Sequence, residues 1–63
     1  MKELKEMYYI VFNNCEGSFP QRDSESFSKE DVKKKVDELN GMEDNPYAHY
    51  SVGIKKVWVN EKM

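Results

Sequence analysis

A chain of 63 residues with ten basic and twelve acidic side chains, net charge −2, makes one domain with a thin core. That balance argues against a general nucleic-acid binder, because neutralising phosphates needs a surplus of cations. One cysteine, Cys15, and one histidine, His49, exclude an intramolecular disulfide and a four-ligand zinc site of the usual residue types.

A core of this size supplies only about 3–5 kcal/mol, and small domains are usually stapled by a disulfide, a metal or a partner chain. With the first two excluded, self-association is the expected staple, and a homodimer is the expected state. The lone cysteine points to a reducing compartment. The opening Met1–Glu6 carries acidic residues where a secretion signal has only basic ones, so the expected location is the cytoplasm. No window is apolar enough over sufficient length to suggest a membrane helix. Charge is unevenly spread. Residues 16–44 hold nine acidic and five basic side chains, whereas residues 45–63 hold Lys55, Lys56 and Lys62 against Glu61.

In chain order, Met1–Glu6 alternates charges around Leu4 and either extends the following strand or frays. Met7-Tyr8-Tyr9-Ile10-Val11-Phe12 is a short apolar run rich in β-branched and aromatic residues, the pattern of a strand covered on both faces. Met7, Tyr9 and Val11 point one way, and Tyr8, Ile10 and Phe12 the other. Asn14–Ser18 supplies turn chemistry, with Gly17 able to take positive φ. Phe19–Ser26 is predicted as an irregular edge strand, since Pro20 cannot donate to a central ladder.

Ser28 is the predicted N-cap of a helix, with Asp31 three residues on and a hydrophobic staple between Phe27 and Val32. Glu30 and Asp31 suit the positive end of the helix dipole. Val32, Val36 and Leu39 form one narrow apolar stripe, and Gly41 is predicted to end the helix. Met42–Pro46 is a connector that exposes Glu43, Asp44 and Asn45. The last strand runs from Tyr47 or Ala48 to Asn60. Its apolar phase slips at Lys55-Lys56, which predicts a bulge that turns Val57 and Val59 inward and leaves Trp58 on the other face.

The predicted fold is therefore α+β: a β-β-α-β chain forming a small three-stranded, mainly antiparallel sheet of order 2-1-3, with one helix on one face. The other face is left uncovered, and an uncovered apolar face marks an interface. Tyr8, Ile10, Phe12 and Trp58 are the expected interface residues. Glu43 and Asp44, in an acidic connector, are the expected contacts to a basic partner protein. The partner patch is limited to the 16–27 loop and the 43–45 connector, and a solvated surface is the plainer reading of the acidic residues, because Lys33, Lys34 and Lys35 interrupt them on the helix.

Two further constellations carry less. Cys15 and His49 are a nucleophile and a base by type, but no surrounding motif joins them, so neither an enzyme nor a cofactor is expected. Aromatic residues near Lys55 and Lys56 suggest, as the alternative reading, a sheet that stacks nucleic-acid bases. Net negative charge and a single arginine, Arg22, weigh against it.

Tyr8-Tyr9-Ile10-Val11-Phe12, Phe27-Ser28-Lys29-Glu30-Asp31-Val32 and Tyr50-Ser51-Val52 together resemble very short phage and prophage proteins of AT-rich bacterial hosts. Several of these are host-takeover or anti-defence factors, and the chain is similar to the Hachiman anti-defence type. The resemblance implies an inhibitor that binds and blocks a host protein, a bacterial defence component, as a homodimer. It carries no functional residue across, since none of the stretches is a diagnostic motif.

Overall fold

The computed structural model describes residues 2–60, so Glu61 and Lys62 of the basic C-terminal segment lie outside the described residues. The elements are β1 (Lys2–Asn14), β2 (Gly17–Ser26), α1 (Lys29–Met42) and β3 (His49–Asn60). The sheet order is β2-β1-β3, with both pairings antiparallel, as the sequence predicts. Met7–Phe12 lies within the central strand because it alone is apolar on both sides. The strand begins earlier than that run, at Lys2, since Lys2–Glu6 pairs along Lys56–Asn60 of β3.

The β1–β2 turn is tighter than expected: Cys15 and Glu16 alone bridge the pair Asn14–Gly17. Asn14 closes it by accepting from the Glu16 N–H through Oδ1 at 2.8 Å. Gly17 has φ 144°, a region closed to most side chains. β2 is the irregular edge strand expected, and Pro20 sits in it opposite Val11. The bulge, however, falls here rather than in β3. Between Tyr8 and Ile10 the partner on β2 jumps from Ser26 to Gln21. The Ser24 hydroxyl repairs the gap, accepting from the Ile10 N–H at 2.8 Å and donating to the Gln21 carbonyl.

β3 runs in unbroken register with β1 from His49 opposite Asn13 to Asn60 opposite Lys2, so the bulge predicted at Lys55-Lys56 is absent. This corrects the assignment of faces. Direct partners share a face, and Tyr8, Ile10 and Phe12 stand opposite Ile54, Val52 and Tyr50. That face is the one the helix covers. Met7, Tyr9, Val11, Val57 and Val59 line the uncovered face.

Helix α1 starts at the predicted cap, with Ser28 Oγ accepting from the Asp31 N–H at 3.4 Å. Gly41 does not end it; the helix continues to Met42 and is capped by Glu43, whose N–H reaches the Asn40 carbonyl. Val32 and Val36 are buried against Ile10, with Tyr8, Leu39, Tyr50 and Val52 packed around them. Each such buried aliphatic contributes about 1.5–3 kcal/mol, so this small cluster is the main store of stability. Phe27, predicted as a staple with Val32, remains exposed.

Candidate functional site

A helix of fourteen residues is about 21 Å long, while β3, at twelve residues, runs to about 40 Å. The helix therefore covers one end of the sheet only, and the chain measures 47 × 22 × 13 Å. Beyond its cover, residues 2–6 of β1 and 56–60 of β3 continue as a bare two-stranded ribbon. β2 pairs no further than Tyr8, so this part of β1 has β3 as its sole strand partner among the described residues.

The ribbon carries the apolar surface most open to solvent within the sheet. Leu4 stands opposite Trp58, and Ile54 lies two residues along β3 from Lys56 on the same face. Their exposures are 46% for Leu4, 67% for Trp58 and 51% for Ile54. Leu4 and Ile54 are aliphatic and Trp58 is the lone tryptophan, a residue type enriched where binding energy is concentrated.

Of the predicted interface residues, the structure keeps Trp58 in the open and removes Ile10. Tyr8, Ile10, Phe12 and Trp58 do share one face, as expected, but it is the helix face. Ile10 is 6% exposed under α1, and the half-buried Phe12 packs its ring against Tyr50 at a centroid distance of 5.1 Å. The reason is the continuous β1–β3 register, which the apparent phase slip at Lys55-Lys56 disguised in the sequence.

The uncovered face is mended from within. Asn13 Oδ1 accepts from Ser18 Oγ at 2.7 Å, and Asn13 Nδ2 donates to Ser51 Oγ at 2.9 Å, a polar ladder across all three strands. The Tyr9 ring lies over Gly53 so closely that a Cβ there would meet ring carbons at 2.4 Å. Lys55 and Glu25 form an ion pair between the two edge strands. Met7, Val11, Val57 and Val59 on the same face are half-buried rather than bare.

Glu43 and Asp44 sit at the other end of the molecule from Trp58. Glu43, expected to be exposed, is half-buried, and its Oε1 accepts from the Asn45 N–H at 3.2 Å. Asp44 is exposed. The connector adjoins Asn40, whose amide clasps Tyr50 on both sides: Tyr50 N–H to Oδ1 at 2.7 Å, Nδ2 to the Tyr50 carbonyl at 3.0 Å. Tyr50 and Trp58 are eight residues apart on one strand, about 27 Å. One continuous patch joining Trp58 to Glu43 and Asp44 is thus not formed.

Cys15 and His49 lie at the same end of the sheet, since His49 pairs with Asn13 just before the turn. Both are exposed, and no hydrogen bond links them. A cleft of about 500 Å³ opens between α1 and the bulged β2, lined by Ile10, Gln21, Asp23, Lys35 and Leu39 among others. Asp23, Lys35 and Ser24 line it together, and the Ser24 hydroxyl is already engaged by the Ile10 N–H and the Gln21 carbonyl. Among the described residues no three His, Cys, Asp or Glu side chains cluster as metal ligands, and no helix is long and apolar enough to cross a membrane.

Tyr8, Phe12 and Tyr50 are on the helix face, Lys55 is paired with Glu25, and Lys56 stands opposite Glu6. No family of known proteins, no curated protein and no solved structure matches the chain.

Proposed function

We propose that this chain is a non-enzymatic protein-binding factor that works as a homodimer and docks on a host protein to block it. A bacterial defence component is the target class implied by the resemblance to short phage anti-defence proteins. One observation carries the interaction reading: Trp58 and Leu4 stand exposed on one face of a ribbon that no other element shelters among the described residues, and the exposed Ile54 adjoins them on the same face. Isolated two-stranded ribbons are marginal in water, so one retained with its apolar residues open is suited to docking.

Affinity capture from bacterial host lysate tests the reading, with wild-type protein beside Trp58→Ala. Retention of a protein by the wild type and its loss with Trp58→Ala is the expected result. The nucleic-acid alternative is tested in parallel by titrating salt against binding to DNA and RNA. Tight binding that weakens steeply with salt, with no protein captured, would replace the first reading by the second.

A further inference from the structure

Residues Lys2-Glu3-Leu4-Lys5-Glu6 occupy a sheet edge with a defined hydrogen-bonding phase. In an antiparallel ladder, alternate residues turn both N–H and C=O to the same side. The Ile10 N–H points toward β2, where it meets Ser24, and Tyr50 points away from β1, where it meets Asn40. The register is unbroken, so Lys2, Leu4 and Glu6 point the same way as Ile10, toward the side that β2 no longer occupies. Three consecutive donor–acceptor pairs are therefore presented on an open edge.

The charges along that edge are self-complementary. Turning a second copy antiparallel about Leu4 sets Lys2 opposite Glu6 of that copy, and Glu3 opposite its Lys5. Both pairs occur twice, and Leu4 faces Leu4. No other centre from Lys2 to Glu6 does this: Glu3 on Glu3, Lys5 on Lys5, Lys2 on Lys2 or Glu6 on Glu6 each places like charges opposite, which is destabilising. Within the chain, Lys2, Glu3 and Lys5 stand opposite Asn60, Val59 and Val57, so β3 offers these charges no opposite partner in direct register.

The two other free edges, of β2 and of β3, have no such property: β2 is bulged and carries Pro20, which has no N–H to offer. β3 contains Lys55 and Lys56 and no acidic residue, and edge lysines discourage strand addition.

We infer that two copies of this chain join through the Lys2–Glu6 edge of β1, antiparallel and centred on Leu4, to make one continuous sheet. Paired residues share a face, so the two Leu4 and two Trp58 side chains fall in a single row, about 14 Å across three strand spacings. Self-pairing thus doubles the exposed apolar strip into one docking surface. The geometry stands without the proposed host target; only its purpose rests on that reading.

Two charge-uniform variants test it by light scattering or native mass spectrometry. Lys2→Glu with Lys5→Glu makes the edge wholly acidic. Glu3→Lys with Glu6→Lys, plus Lys56→Glu to keep the partner opposite residue 6, makes it wholly basic. Each alone is expected to raise the dimer dissociation constant at least about tenfold, and an equimolar mixture to restore the dimer. As a second probe, Leu4→Pro removes an outward N–H and no bond to β3, so the dimer is expected to be lost with the circular dichroism retained. The inference is overturned if the variants dimerise as tightly as wild type, if mixing restores nothing, or if wild type stays monomeric. A dimer that behaves as expected but captures no host protein would sink the function proposed above and leave the edge pairing standing.

Discussion

The two halves of this sheet share strands but not the means of holding them together. From Tyr8 to Asn14, β1 has a neighbour on each side and a helix above, and Ile10, Val32 and Val36 close a small apolar core. From Lys2 to Glu6 it has one neighbour and no cover among the described residues, yet Leu4 is as apolar as the core residues and Trp58 is larger than any of them. Residue type alone does not decide burial; the length of the covering element does. A helix half as long as the strand divides one ladder into a folding region and a presenting region.

Substitutions should fall on one side of that division or the other. Ile10→Ala strikes the core and is expected to cost about 2–5 kcal/mol, comparable to all that a core of this size supplies, as read by urea denaturation. An intact fold after that change would erase the distinction between the halves. Asn40→Ala leaves both polar groups of Tyr50 without their clasp, and about 1–3 kcal/mol should be lost. Hydrogen exchange should then quicken at the helix end of β3 before it changes in the ribbon.

Gly53→Ala is a milder probe on the uncovered face. The new methyl must displace the Tyr9 ring, at a cost of about 1–3 kcal/mol, and chemical shifts of Tyr9 should move most. Smallest in stability is Trp58→Ala, expected below about 1 kcal/mol because the side chain is mostly exposed and its main partner is Leu4 across the strand. A large destabilisation by Trp58→Ala would mean that the ribbon belongs to the folding core.

Much of the architecture was legible in the residues. The apolar run Met7–Phe12, Pro20 in an edge strand and the Ser28 cap are local signals, and each acts over a few residues. Register is not local. The pair Lys55-Lys56 breaks the apolar alternation of β3, and a bulge was the natural way to mend it. The chain keeps a straight ladder instead, because solvent-exposed ribbon residues need not obey a buried pattern. That single difference exchanged the two faces and moved Ile10 from the expected interface into the core.

The β2 irregularity was expected, but not its repair by Ser24, since nothing in the sequence marks a serine as a ladder substitute. The helix overran Gly41 to Met42, and Glu43 caps it two residues beyond that glycine. The exposed strip was signalled by Trp58 alone. The charge pattern around Leu4 is plain in the sequence, yet it acquires meaning only when β2 is seen to stop at Tyr8.

The amide of Leu4 gives the most direct test of the account. Its N–H faces the open edge, whereas the neighbouring Lys5 N–H faces β3. Hydrogen exchange measured residue by residue over a range of protein concentrations should show Lys5 protected throughout and Leu4 gaining protection as concentration rises. Should Leu4 exchange as fast as an unstructured amide at every concentration while Lys5 stays protected, the ribbon forms but no second chain is added to it.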